Sequence, residues 1–517
     1  MAESLPGVPL SLDGFTSGTY QLPPAALLGP GTVSRGRTAA ADAVTGALSG
    51  VFAQFKVNAR VTGFRRGSAV TRYEVELGPG VQVEQVTMLH RNLSHAAKSA
   101  GVRIVSPVPG KSAIGIDVPN MQKEIVSLGD VLRSDSAMAD HHPMVAGLGQ
   151  DAEGNALFVN LAKLTHLLIA GATGSGKSAC LHGLIISLLM RAAPAEVRMI
   201  LIDPGRVELP VYNGIPHLIT PVVTSPDKAA AALDWAAGEI GRRYDDLAAN
   251  GFRHVDDFNR AIQAGRFTRL PGSSRTYEPY PYLLVIIDGL GGLMTGRARK
   301  TETSIASIAR RGRQTRVHLV IATREPSTYI LHRPLNSYLT SRLAFAASSR
   351  FDSQTALGHP GAETLAGPGE ALFIPMGANE PVWLQNAFVS DKEIRDIVEH
   401  TKAQLALHSK KAARLIYRQD PASAPGPARQ ADAGTRDDPE LLIAAAQLVI
   451  SSQFGSTSML QRKLRVGFAS AGRLMDLLEA RGIVGPSEGS KARDVLIRSA
   501  AMDEVLSSLN TQLIADA

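Results

Sequence analysis

The chain has 517 residues, too many for one compact core, and the length points to about three domains. Hydrophobic residues make up 44% and charged residues 20%, which excludes a disordered or fibrous protein, and the net charge of +7 admits a polyanionic partner without requiring one. One cysteine, Cys180, excludes a disulfide framework and a cysteine-ligated zinc site.

In chain order, residues 1–30 hold scattered proline and glycine without periodicity and read as a flexible arm. Over 31–130, short helical patterns alternate with strands of period two, RYEVEL (Arg72–Leu77) and KSAIGIDV (Lys111–Val118), which predicts a small α/β domain. Over 131–417, the apolar strands THLLIAG, VRMILID, PYLLVIID, VHLVIAT, RLAFAA and ALFIP alternate with amphipathic helices. That pattern predicts an α/β fold with a parallel sheet covered on both faces. A long helix follows from Lys392 to about Tyr417. Residues 418–438 (RQDPASAPGPARQADAGTRDD) lack apolar periodicity and read as a flexible linker. Over 439–517, the helical stretches DPELLIAAAQLVISSQ, STSMLQRKLRV and SAGRLMDLLEARG precede the strand DVLIR, as in a winged helix-turn-helix. No window reaches the ~18 apolar residues of a membrane span, and the N-terminus lacks the form of a secretion signal. The expectation is a cytoplasmic chain without a membrane anchor.

The segment GATGSGKS, Gly171–Ser178, fits G-x-x-x-x-G-K-S, follows the apolar strand HLLIA and opens the helix SACLHGLIISLLM. Such a loop curls backbone N–H groups around phosphate oxygens, and the helix N-terminus adds its positive end. The candidate ATP cradle is Gly171, Thr173, Gly174, Ser175, Gly176, Lys177, Ser178 and Ala179. Lys177 is placed to reach the β- and γ-phosphates, and Ser178 to ligate Mg²⁺. A second buried-type strand, LLVIID, ends in Asp288, a candidate Mg²⁺ ligand; the alternative is an aspartate that only caps the turn. The next residue, Gly289, has no group with which to orient an attacking water. His217, in IPHL, reads as a packed structural histidine, and no histidine cluster has metal-ligand spacing.

Further stretches extend the pattern: PGKSAIGIDVPN, LIDPGRVELPVYNGIPHLITPVVT, RVHLVIATREPS and SRLAFAASSRFDSQTALGHPGAETLAGPGEALF. With the tail TSMLQRKLRVGFASAGRLMDLLEARGIVG they make the chain resemble the motor portion of the FtsK/SpoIIIE family of double-stranded DNA translocases, over roughly residues 100–500. The resemblance implies a RecA-like P-loop NTPase core, a small N-terminal α-domain and a C-terminal winged-helix γ-domain. It further implies a homo-hexameric ATPase ring on duplex DNA, working in chromosome partition, conjugation or phage replication. A secretion ATPase shares the motor fold but not the tail. Three departures stand out. Gly289 replaces the family's glutamate after the metal-strand aspartate, Gly205 replaces the lysine of its D-P-K, and Arg324–Glu325 replace Gln-Arg in its A-T-Q-R-P. Losing such a group slows phosphoryl transfer by orders of magnitude. Glu325 is the candidate replacement, giving Lys177, Asp288 and Glu325 as the catalytic set. The alternative reading is an ATP-binding, weakly hydrolysing adaptor or regulatory ring that partners an active homologue.

Between Thr295 and Arg324 stand eight basic residues and one acidic residue, Glu302. In a ring, Arg297, Arg299 and Lys300 would face the pore and contact phosphates; the alternative is a solvated helix face. Arg342 and Arg350 are candidate fingers toward a neighbouring subunit's nucleotide, the alternative being surface ion pairs. In the tail, Arg462, Lys463 and Arg473 are candidate DNA contacts, the alternative being a winged helix used for protein contact. The family's recognition helix starts Asn-Arg-Ala-Ala-Arg, whereas this chain has Ala469, Ser470, Ala471, Gly472 and Arg473. Each lost base-reading side chain removes about 1–3 kcal/mol of discrimination.

Overall fold

The computed structural model describes residues 20–31, 39–99, 101–106, 113–120, 124–266, 277–293, 298–324, 326, 333–365, 367–416, 439–453, 455–464, 468–486 and 493–497. The chain divides into two units, 1–418 and 419–517.

The first unit begins with a four-stranded antiparallel sheet: β1 (Ala59–Arg66), β2 (Val70–Leu77), β3 (Arg103–Val105) and β4 (Ile114–Pro119), in the order β1-β2-β4-β3. Leu48 and Phe52 of the helix Ala39–Gln54 pack on Tyr73, Val75, Leu93 and Ile116. The buried Arg72 guanidinium is compensated by a two-pronged pair with Asp117, at 2.6 and 2.9 Å, and by Glu153 at 2.9 Å. Of the arm expected over 1–30, the stretch from residue 20 is described, and it is tied down. Leu28 is buried, Gly29 N–H donates to Glu393 Oε1 at 2.7 Å, and Ser127 Oγ donates to Gly29 O at 2.6 Å.

The larger sheet has nine strands: β5 (Val145–Gln150), β6 (Ala156–Asn160), β7 (His166–Ala170), β8 (Val197–Ile202), β9 (Tyr282–Asp288), β10 (Val317–Thr323), β11 (Ser341–Phe345), β12 (Glu370–Ile374) and β13 (Val382–Asn386). Their order is β6-β5-β13-β12-β11-β7-β10-β9-β8. The five strands from β11 to β8 run parallel, and alternate residues feed two cores. Leu167, Ile169 and Ile286 face one core with Leu184 and Leu188, while Leu168, Ile287 and Ile321 face the other with Ile240 and Ile305. A strand buried on both faces needs apolar residues at every position, so these five were legible as unbroken runs. The sixth run, ALFIP, departs from the expected parallel order, because β12 pairs antiparallel with β11. Beyond it β13, β5 and β6 continue antiparallel. The topology places β10 between β7 and β9, and that insertion sets the geometry of the site described below.

In the second unit the helices Pro439–Ser452, Thr457–Leu464 and Phe468–Ala480 share a core of Leu442, Val449, Leu460, Met475 and Leu478. Among the described residues the expected strand DVLIR forms a single bridge, Val484 with Val495, and Arg493 just before it bridges Gly455. Arg493 joins this wing to the third helix through Asp476 and Glu479, each at 2.6 Å. No helix among the described residues is long and apolar enough to cross a membrane.

Among the described residues, His166, His217 and His318 lie in the first unit's interior. His217 is fully buried and bonded to Ala192 O at 2.9 Å, a packed residue as expected. His166 sits against Ala309 O and His318 against Thr165 O, at 2.9 and 2.8 Å. Burial lowers the pKa of His166 to about 3, and of His217 and His318 to about 4. Below the ordinary value of 6.5 the unfolded chain therefore takes up protons that the folded chain refuses. Stability is fully present above that value and falls as pH drops toward about 4, by up to about 1.4 kcal/mol per pH unit for each ring. Denaturation midpoints measured from pH 7.5 downward check this, and an unchanged midpoint at pH 5 would contradict it.

Candidate nucleotide site and nucleic-acid interface

The phosphate loop leaves β7 between β10 and β11. Gly171 N–H donates to Thr323 O at 3.3 Å, and Ala172 N–H donates to Ala346 O at 2.9 Å. The Gly369 N–H, donating to Ser175 O at 2.8 Å, pins the far side of the loop. Gly176 has φ +111°, and a Cβ there would lie 2.8 Å from Gly369 N and 2.9 Å from its Cα. Only glycine fits that close backbone approach. No side chain caps the helix Lys177–Leu189, which leaves its first N–H groups without that partner. Within the loop, the buried Ser175 hydroxyl has no partner among the described residues. Thr173 and Gly174 are exposed, and Ser178 and Ala179 are half-buried. An open helix terminus, a glycine cradle and an orphaned hydroxyl fit a phosphate chain.

Lys177 is 4% exposed and Asp288 6%, and Lys177 Nζ lies 3.9 Å from Asp288 Oδ1. That is an ion-pair distance and too long for a hydrogen bond. Burial raises the Asp288 pKa; the charge of Lys177 opposes the rise, Asp203 and Glu208 add to it, and Arg324 opposes it again. Asp203, at the end of β8, is consumed by the next turn, accepting N–H bonds from Arg206, Val207, Glu208 and Leu209 at 3.0 to 3.1 Å. Glu208 Oε2 lies 3.5 Å from His182 Nε2, and His182 Nδ1 lies 2.8 Å from the Tyr212 hydroxyl. Burial lowers the His182 pKa against the pull of Glu208. Sequence reasoning missed Asp203, His182 and Glu208. D-P-G was a visible signal for Asp203, whereas the other two meet only through the fold.

Gly289 has φ +88°, and a Cβ built there meets nothing within 4 Å. Its N–H continues the ladder by donating to Ala322 O at 3.0 Å. Space is therefore open, but the left-handed backbone costs a side-chain-bearing residue roughly 1–2 kcal/mol. Gly205 is exposed, Arg324 is exposed, and Glu325 lies outside the described residues. Among the described residues no group of three or more His, Cys, Asp or Glu forms a metal cluster. A Mg²⁺ held by the Ser178 hydroxyl and the Asp288 carboxylate would draw its other ligands from phosphate and water, as this hard ion commonly does.

The basic stretch does not form one surface. The helix Ala298–Arg311 has 14 residues, about 21 Å along its axis, so it carries Arg310 and Arg311 to the end of the sheet opposite Arg324. Arg316 pairs with Asp256 and lies over the Tyr282 ring, and Arg311 lies over Tyr244. Lys300 Nζ is 3.1 Å from Asp234 Oδ2, both groups half-exposed. Arg297 lies outside the described residues, as does the side chain of Arg299. Arg342 is engaged within its own chain, donating to the carbonyls of Leu339, Thr355 and Ala356 at 3.2 to 3.5 Å, while Arg350 is exposed at the start of the helix Arg350–Leu357. In the second unit Arg462 and Lys463 lie on the helix Thr457–Leu464 and Arg473 on Phe468–Ala480, with their side chains outside the described residues.

The sequence profile of the FtsK/SpoIIIE family matches residues 127–328, that of the FtsK alpha domain 22–120, and that of the FtsK gamma domain 436–498. A DNA translocase FtsK of Tropheryma whipplei is 48% identical over 510 residues, covering 99% of this chain and 67% of that protein. The chain belongs to the FtsK/SpoIIIE family. Proteins named DNA translocase FtsK from Streptomyces avermitilis and Mycobacterium tuberculosis are 54% and 51% identical over 94% of the chain, which covers 53% and 58% of their lengths. The chain thus spans little more than half the length of these relatives.

The phosphate loop follows β7, and Asp203, Asp288 and Arg324 stand at the carboxyl ends of β8, β9 and β10. The loop itself makes a sharp demand on one residue. Gly176→Ala forces the backbone of the loop apart from Gly369, a strain on the order of 1–3 kcal/mol. Equilibrium titration should show ATP affinity reduced about tenfold or more. Native affinity in Gly176→Ala would contradict the cradle.

Proposed function

We propose that this chain is an ATP-dependent double-stranded DNA translocase of the FtsK/SpoIIIE type, acting in DNA partition or transfer as a cytoplasmic homo-hexameric ring. The observation that carries the reading is the buried pair of Lys177 and Asp288 at the mouth of a phosphate loop, in a chain aligned over 94% of its length with proteins named DNA translocase. In this reading the backbone from Gly171 to Ala179 cradles the phosphates of ATP, and Lys177 neutralises the outer ones. Ser178 and Asp288 hold Mg²⁺, which supplies charge neutralisation on the phosphates. The second unit's helices bring Arg462, Lys463 and Arg473 to duplex DNA, and Arg297, Arg299 and Lys300 meet phosphates in the pore. Lys300 must leave Asp234 to do so, an exposed pair worth ~1 kcal/mol or less. Arg350 is the freer finger candidate, since Arg342 is held by three carbonyls of its own chain.

One observation favours a second reading. Gly289 offers no carboxylate to orient water, and its φ of +88° suits glycine. With Glu325 not acting in its place, the chain would bind ATP and DNA and turn over slowly, as an adaptor or regulatory ring beside an active homologue.

Steady-state ATP turnover with and without long duplex DNA separates the two. The motor reading predicts DNA-stimulated turnover that falls about a hundredfold or more in Lys177→Ala and Asp288→Asn. Equal turnover in native chain and Lys177→Ala would contradict it. Turnover that appears only in Gly289→Glu would establish the adaptor reading instead.

A further inference from the structure

Asp288 shares its corner of the sheet with a second turn. Ile202 of β8 pairs in register with Ile287 of β9, so the turns after both strands leave the sheet side by side. A Cβ on Gly292 would lie 3.5 Å from Pro204 Cβ, which puts the two turns in contact. Asp203 fixes the turn after β8: its Oδ1 accepts the Arg206 N–H, and its Oδ2 accepts those of Val207, Glu208 and Leu209. Asp203 is therefore spent on the backbone, and it sets the point from which the Glu208 side chain starts.

Glu208 turns toward the phosphate-loop helix. Its Oε2 lies 3.5 Å from His182 Nε2, and its side chain is 27% exposed, so it also reaches solvent. His182 stands four residues after Ser178 on the helix Lys177–Leu189, on the same face, and helical side chains lean toward the N-terminus. The ring thus lies over the turn that carries Ser178. Behind it, the buried Tyr212 hydroxyl lies 2.8 Å from His182 Nδ1. Burial raises the Tyr212 pKa and lowers that of His182, so a protonated phenol faces a neutral ring. The arrangement that suits both neighbours has Tyr212 donating to Nδ1 and the Nε2–H directed at Glu208. Glu208 Oε1 has no partner among the described residues. Of the carboxylates in these two turns, Asp288 is paired with Lys177 and Asp203 is consumed, while Glu208 keeps one oxygen for a water.

We propose that Glu208 is the carboxylate that orients the attacking water in ATP hydrolysis and receives its proton, with His182 as the residue that positions it. The assignment rests on the reading of the chain as an ATP-hydrolysing motor. A water held by Oε1 forms the new bond from its oxygen to the γ-phosphorus. The bond from that phosphorus to the β–γ bridging oxygen breaks, and ADP leaves with the electron pair. One proton of the water passes to Glu208 and from there to solvent. Such a group need not follow Asp288 in sequence, and Gly289 leaves the space beside it open.

The test is steady-state ATP turnover on long duplex DNA, with equilibrium binding of ATPγS and Mg²⁺, for the full chain as native protein, Glu208→Gln, His182→Ala and Lys177→Ala. Glutamine keeps the size and hydrogen bonding of Glu208 and removes its charge and basicity. The expected result is a kcat about a hundredfold or more lower in Glu208→Gln and about tenfold lower in His182→Ala, with KM and ATPγS affinity unchanged in both. Unchanged affinity also shows that both variants are folded. Native turnover in Glu208→Gln would overturn the assignment. A loss of ATPγS affinity to match the loss of turnover would overturn it too, since Glu208 would then be shaping the loop or holding the metal. Native turnover in Lys177→Ala would instead sink the nucleotide-site reading, and a native chain that binds ATPγS without hydrolysing ATP would sink the motor reading. This assignment fails with either.

Discussion

The carboxyl edge of the large sheet is organised by one charge pairing across a strand. Lys177, at the start of the helix after β7, and Asp288, at the end of β9, come within 3.9 Å although β10 runs between their strands. Both groups are buried, and taking two charges out of water is costly unless they are paired. The pair is separated beyond hydrogen-bond distance, so neither group is locked to the other. We read this as an arrangement kept for phosphate and metal chemistry rather than for stability. A hydrophobic replacement of both residues would fill the same site with less desolvation cost.

Around that pair the backbone decides what each position can carry. The cradle is intact, because Gly176 meets the Gly369 backbone at a distance that excludes a Cβ. The turn after Asp288 is shaped for glycine. Gly289 lacks the carboxylate, and its backbone lies in the region that glycine tolerates best. A glutamate at Gly289 would meet open space but a strained φ. Meanwhile an exposed arginine stands at the end of the intervening strand.

How much of this was legible in the sequence varies by residue. The phosphate loop was readable because its chemistry is local, with glycines, Lys177 and Ser178 within eight positions between a strand and a helix. Asp288 was readable because a strand buried on both faces leaves one polar residue at its end. The strand order was not, since periodicity marks a strand without naming its neighbours. That is why β12 was expected to run parallel, and why β5, β6 and β13, which are short or broken by glycine or polar residues, went unnamed. The run of basic residues before β10 is spread out by the fold for a related reason. A 14-residue helix and a strand carry residues close in sequence to opposite ends of the domain, and Arg311 and Arg316 are spent on Tyr244, Tyr282 and Asp256. Asp203 and the Glu208–His182–Tyr212 chain needed the fold itself, because β8 and the loop after it bring them together.

The central claim is that these parts make a working DNA motor. The most direct measurement is displacement of a third strand annealed to a linear duplex, followed in time after adding the chain and ATP. The account predicts ATP-dependent release of that strand at a rate set by its distance from the loading end. An intact triplex, under conditions where ATP and duplex DNA are both shown to be bound, would contradict it.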